Sequence, residues 1–161
     1  MTRSLMCVLL ILLLTAVAVS SSTAQVKWSV GGRFGLSVGS GGGGSSAGLQ
    51  IGPVGEVIFD RNMGVGTELN INTQGGGIVA WEDYFRYYFT IPRSTIKPYA
   101  DAGIGLWFSG GTWFGIQFGG GVNIPVAKNL YVPADLELGP VFATGTTFFY
   151  LAITSGIRYE F

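Results

Sequence analysis

The chain has 161 residues, the size of one ordinary domain, and its 9 Lys or Arg against 9 Asp or Glu leave no net charge to attract nucleic acid or another polyanion. Charged residues make up 11% of the chain, under half the roughly 25% usual in soluble domains, while hydrophobic residues make up 48% and Gly reaches 27 residues without a three-residue period. These proportions exclude a disordered chain, a highly charged helical bundle and collagen, and the absence of His removes the commonest general base and metal ligand.

Residues 1–24 read as a cleavable signal peptide. Arg3 supplies a positive start, Leu5 to Val19 an apolar run, and Ser22 and Ala24 the small residues that suit cleavage before Gln25. The alternative is a transmembrane anchor, but about 15 apolar residues fall short of the roughly 20 needed to span a bilayer. The single Cys, Cys7, sits at the start of the apolar run, the wrong end for a lipoprotein cysteine. The mature chain, 25–161, is therefore exported and held together without disulfides.

From Val26 onward the pattern is alternation. Val26, Trp28, Val30, Phe34, Leu36 and Val38 fall on one face, with Lys27, Ser29, Arg33 and Ser37 on the other, a period of two that marks a strand. Gly41 to Ser46 reads as a flexible loop. Strand two is expected over Ala47–Phe59 and is followed by the tight turn Asp60–Asn62. Strand three covers about Gly64–Thr73, with a loop at Gln74–Gly77, and strand four about Ile78–Ile91, with a turn at Pro92–Ser94. Strand five is expected over Lys97–Ser109, strand six over Trp113–Ile124, strand seven over Leu130–Val141 and strand eight over Thr147–Phe161. Pro53 and Pro133 fit these strands least well. A bulge is expected near Gly52–Pro53, which leaves the faces of Val54 to Ile58 open.

Alternation alone does not say which face is inside. A soluble lipocalin-like barrel buries the apolar face, whereas a membrane barrel exposes it to lipid. Three features favour the membrane barrel. The polar face is crowded with Gly31, Gly35, Gly66, Gly103, Gly119 and Gly156, which suits a narrow lumen better than a solvated surface. Charges of mixed sign sit near strand centres on that face: Arg33, Glu56, Glu68, Arg86, Asp101, Asp135, Glu137 and Arg158. Aromatics on the apolar face gather at strand ends, with Trp28, Phe59, Phe89, Tyr159 and Phe161 in one girdle and Trp81, Phe108, Phe114 and Phe149 in the other. Trp107 falls on the lumen side. The expected fold is an all-β, eight-stranded, antiparallel, up-and-down transmembrane barrel.

Several pieces carry a family resemblance: Val30-Gly31-Gly32-Arg33-Phe34-Gly35, Lys97-Pro98-Tyr99-Ala100-Asp101-Ala102-Gly103, Gly119-Gly120-Gly121-Val122, and the terminus Ile157-Arg158-Tyr159-Glu160-Phe161. In these, and across residues 25–161, the chain resembles the small eight-stranded outer-membrane barrels of Gram-negative bacteria, the OmpA/OmpX-like porin-family group. The resemblance implies residence in the outer membrane as a monomer in contact with lipid and lipopolysaccharide. It also implies biogenesis by periplasmic chaperones and the barrel-assembly machinery, which reads Ile157, Tyr159 and Phe161 as a C-terminal signal. Short Gly-rich loops depart from the family members that act as adhesins.

The lumen charges are the only candidate site. Arg86 is expected to meet Glu68 and Asp101 from the adjacent strands, and Arg158 to meet Asp135 or Glu137, or to reach the neighbourhood of Arg33. The structural reading is a salt-bridge network filling an interior just wide enough for side chains. The functional readings are a narrow porin-like path for ions or small solutes, or a catalytic carboxylate pair such as Asp135 and Glu137. No nucleophile or oxyanion hole accompanies that pair, and an enzyme is not expected. Neither the Gly-rich runs nor the sparse basic residues form a phosphate loop or a nucleic-acid surface, and no cofactor is implied.

Overall fold

The computed structural model describes residues 26–41, 43–60 and 62–161. The 1–24 signal segment lies outside the described residues. Eight strands follow one another: β1 (Lys27–Gly41), β2 (Gly44–Phe59), β3 (Met63–Asn72), β4 (Ile78–Tyr88), β5 (Lys97–Phe108), β6 (Thr112–Ala127), β7 (Leu130–Ala143) and β8 (Thr146–Glu160). Each pairs antiparallel with the next, and β1 pairs with β8 from Ser29↔Glu160 to Gly41↔Phe148, so the sheet closes into a barrel with no free edge.

Burial is inside out. On the wall, Phe34, Leu36, Ile51 and Ile153 keep 61–62% of their surface exposed, whereas Arg33, Glu56, Glu68 and Arg86 retain only 2–3%. A water-soluble barrel does the reverse, so the lipocalin-like alternative fails and the wall is a lipid-facing one. Trp28, Phe89, Tyr159 and Phe161 stand exposed toward one rim, and Trp81, Phe108, Phe114 and Phe149 stand exposed on the wall toward the other. Phe59 is half-buried, its ring 6.4 Å from that of Phe85.

The expected bulge at Gly52–Pro53 is absent. The β1–β2 register runs unbroken through Gly32↔Pro53, and β2–β3 passes from Ile51↔Ile71 to Val54↔Glu68 without a shift. Proline removes one ladder hydrogen bond, and the strand absorbs the loss as a gap without slipping. Pro133 behaves alike: β7–β8 passes from Tyr131↔Arg158 to Ala134↔Ser155 in constant register, and the Ser155 hydroxyl donates to the Pro133 carbonyl at 2.8 Å. Alternation therefore continues through Val54–Ile58, with Glu56 and Ile58 inside. The register shift lies instead at Pro125/Ala127 in β6–β7.

The connections also differ from expectation. The segment read as a Gly41–Ser46 loop is mostly strand: Gly41 pairs with Gly44 and Ser40 with Ser45, and Gly43, at φ +88°, takes the left-handed conformation of a tight hairpin turn. Strand β4 ends at Tyr88, short of Ile91. Beyond it, Phe89 N donates to Pro98 O at 2.8 Å and Ser94 N to Ile91 O at 3.2 Å, which turns the chain before Pro92 is asked for a ladder bond. As a result, connection length does not separate the rims. The longest link, 89–96, lies on the rim where β1 starts and β8 ends, called here the terminal rim; the opposite one is the loop rim.

Candidate functional site

The barrel interior is layered along its axis. Toward the loop rim, Ala80, Trp107, Val141, Tyr150 and Ala152 form a buried apolar layer, with the Trp107 and Tyr150 rings edge to face at 6.1 Å. Toward the terminal rim, Ile58, Tyr88 and Tyr99 form a second, with Tyr88 and Tyr99 edge to face at 5.7 Å. Between these two layers lie the charges, in two clusters.

Arg33 centres the first cluster. Its guanidinium pairs with Glu68 of β3, with Glu137 of β7 at 2.5 Å and with Asp135 of β7 at 3.5 Å, and donates to the Thr154 hydroxyl of β8 at 2.8 Å. Glu56 centres the second. Its carboxylate receives Arg86 at 3.2 Å, Arg158 at 3.0 Å, the Tyr84 hydroxyl at 3.0 Å and the Tyr88 hydroxyl at 2.6 Å. Arg86 also grips Asp101 through Nε at 2.8 Å and Nη2 at 2.7 Å, and its Cζ lies 4.0 Å from the Tyr99 ring centroid and 4.5 Å from that of Tyr84. Arg158 Nε donates to Ser29 Oγ. Every charged member of both clusters thus has an opposite partner, the arrangement a low-dielectric interior requires.

Two expected pairings give way to others. Arg86 meets Asp101 as expected but meets Glu56, not Glu68. Across β3–β4, Arg86 faces Gly64 and Glu68 faces Glu82, so Glu68 lies four residues beyond the level of Arg86. Gly64 and Gly66 empty β3 at that level: a Cβ on either would strike the Glu56 carboxylate or the Tyr84 ring. Glu56 can therefore cross above β3 to reach β4. Likewise Arg158 meets neither Asp135 nor Glu137. Asp135 faces Thr154 across β7–β8, while Arg158 reaches over Gly31 of β1 to Glu56 of β2.

Glu82 is a lumen residue that the sequence reading left out. It is fully buried, its Oε2 accepts from Asn70 Nδ2 at 2.5 Å, and its Oε1 has no partner in the structure. Asn70 Nδ2 also donates to Glu68 Oε1 at 3.0 Å, so it bridges the two carboxylates. Alternation from Tyr84 and Arg86 places Glu82 on their face, which was the available signal. With Glu82 included, the two clusters and their flank hold Arg33, Arg86 and Arg158 against Glu56, Glu68, Glu82, Asp101, Asp135 and Glu137. At the terminal rim Lys97 stands 3.8 Å from Glu160.

Chemically, this arrangement fixes charges in place. The Thr154 hydroxyl, 3.4 Å from Asp135, also accepts from Arg33 and so is no activated nucleophile. Among the described residues, no group of three or more acidic side chains is placed to hold a metal ion.

No protein-family model matches this sequence, and no curated protein matches it. Solved structures do match in fold. Neisserial surface protein A superposes with a TM-score of 0.74 at 16% identity, over 83% of this chain and 97% of that one. The N-terminal β-barrel domain of Pseudomonas aeruginosa OprF gives 0.66 at 13% identity, over 86% and 100%. The Pseudomonas aeruginosa outer-membrane protein OprG gives 0.56 at 12% identity, over 86% and 97%. The fold is that of the eight-stranded outer-membrane barrels.

Proposed function

We propose that this protein is an integral outer-membrane barrel with a non-conducting lumen, serving a structural, protective or surface-interaction role. The observation that carries the reading is the stack across the lumen: a Trp107–Tyr150 layer, the Arg33 and Glu56 clusters, and a Tyr88–Tyr99 layer. An eight-stranded interior has room for little else. In this reading residues 1–24 are removed on export, and Ile157, Tyr159 and Phe161 recruit the assembly machinery. The mature chain then sits as a monomer among outer-membrane lipid and lipopolysaccharide, its terminal rim toward the periplasm. No enzymatic step is assigned to it.

A second reading, a narrow cation path, draws support from the six carboxylates that face three arginines. Planar-bilayer recording separates the two. The plug reading expects no discrete openings from the purified wild-type barrel. Openings with cation preference, altered by Arg86→Leu, would overturn it in favour of the path.

A further inference from the structure

The loop rim holds a cavity that the charge clusters do not use. It is an open cup of about 350 Å³, within the range of small-molecule sites. Trp113 and Phe148 line one side of it, with their rings edge to face at 5.2 Å. Gln74, Ser45, Ser46 and Ser109 supply polar groups to its lining. β1 and β2 add no side chain to it at Gly39, Gly41 and Gly44. A Cβ on Gly39 would sit 3.4 Å from Gln74 Oε1, and one on Gly41 would lie 2.6 Å from Phe148 Cβ. Trp113 and Phe148 pack against the Trp107–Tyr150 layer, so apolar side chains separate the cup from the charged lumen below.

We infer that this cup is a binding site for a neutral saccharide ring. The lining carries no Asp, Glu, Lys or Arg among the described residues, so an ionic ligand would shed hydration with no counter-charge to replace it. A purely apolar ligand would cover the polar Gln74 and serine groups and leave them unpaired. A sugar ring matches both halves: its C–H face lies on an aromatic ring, and its hydroxyls exchange hydrogen bonds with hydroxyl and amide groups. Gln74 is buried and braced, with Nε2 donating to Ser46 O at 3.1 Å and backbone N donating to Asn72 Oδ1 at 2.9 Å. Its amide is thus held in place before any ligand arrives, which lowers the ordering cost of binding. The same chemistry is offered by a free sugar and by the headgroup of a neutral glycolipid. The inference rests on the surface-interaction reading only for orientation, because binding in micelles does not depend on which rim faces outward.

The test uses the full barrel in a sugar-free amine-oxide detergent, titrated with glucose and with maltose. The readout is the Trp113 indole NMR signal, assigned with Trp113→Phe. Saturable shifts at roughly millimolar sugar are expected, weakened about tenfold or more by Gly39→Leu, which fills the cup, and by glucuronate in place of glucose. A barrel in nanodiscs containing a monoglucosyl lipid, with no free sugar, distinguishes the lipid-borne source by giving the same shift. Heat-modifiable gel mobility verifies that Gly39→Leu is folded, and Gln74→Ala, which removes the braced amide and keeps the Trp113 reporter, serves as a second variant checked in the same way. No saturable shift from glucose, maltose or glycolipid overturns the proposal. So does unchanged affinity in both folded variants, or indole binding more tightly than either sugar.

Discussion

Arg86→Leu isolates one charge and leaves another provided for. Without Arg86, Glu56 keeps Arg158 at 3.0 Å and two tyrosine hydroxyls, but Asp101 loses its only ion-pair partner among the described residues. Its side chain is 7% exposed, so solvent does little for it. Orphaning one member of a buried pair costs about 3–5 kcal/mol. Loss of the stacking on Tyr99 and Tyr84 adds about 1–2 kcal/mol. The double change Arg86→Leu with Asp101→Leu removes the first cost and keeps the second, so it is expected to recover more than half of the loss. Arg86→Leu with Glu68→Leu is expected to be worse than the single change, because Glu68 belongs to Arg33. Urea unfolding of the three variants in detergent, followed by tryptophan fluorescence, measures the differences. Rescue by Glu68→Leu in place of Asp101→Leu, or a single change within about 0.5 kcal/mol of wild type, would refute the pairing described here.

Glu82→Gln keeps the shape and hydrogen bonding of a carboxylate without a cation and is expected to be neutral or stabilising, whereas Glu68→Gln, which strips Arg33 of a partner, is expected to destabilise by about 1–3 kcal/mol in the same unfolding assay. Gly66→Ala drives a methyl into the Tyr84 ring and is expected to cost about 1–3 kcal/mol, while Gly55→Ala meets nothing within 4 Å and is expected to be silent; equal midpoints for the two would contradict the lean of Tyr84 over β3 toward Glu56. Deleting Phe161, which is 66% exposed at the rim, should remove well under the roughly 1–3 kcal/mol of a buried side chain, so a large fall in assembled barrel in cells alongside near-normal stability in detergent is the signature of a recognition role. With the terminal rim toward the periplasm, as proposed, an impermeant reagent labels a cysteine placed at Ser45 in intact cells and spares one at Asn62, and the reverse pattern would refute that orientation.

Period-two alternation made most of this architecture readable: it marked out eight strands and, away from Pro53, their two faces, and the placement of glycines, charges and aromatics then put the polar face, Trp107 included, in the lumen. It failed at prolines, because a missing N–H has two outcomes, a bulge or a gap, and the choice depends on whether neighbouring strands hold the register. At Pro53 they do, through unbroken pairing with β1. It failed at Gly41–Ser46, where glycine composition suggests a loop but the flanking backbones still pair. In the lumen, alternation identified the charges but misjudged two of their pairings. Glu56–Arg86 skips the intervening strand β3, and Arg158–Glu56 skips β1. Such skips depend on which neighbour is glycine and on how far a side chain leans across the bore, a three-dimensional matter that adjacency of strands does not encode.

Arg33 and Arg158 flank the junction where the sheet meets itself. Arg33 stands on β1 yet takes Glu137 and Asp135 from β7 and Thr154 from β8, while Arg158 stands on β8 yet takes Ser29 from β1 and Glu56 from β2. An eight-strand ribbon whose last seam is still open would hold both guanidiniums away from most of these partners, in a bilayer that offers no water in exchange. The unclosed ribbon is penalised twice, once for its bare edges and once for its stranded ions. The two arginines therefore act as a latch: until the cylinder is complete Arg33 can reach Glu68 alone among its carboxylates and Arg158 neither Ser29 nor Glu56, and both resist its reopening once it is.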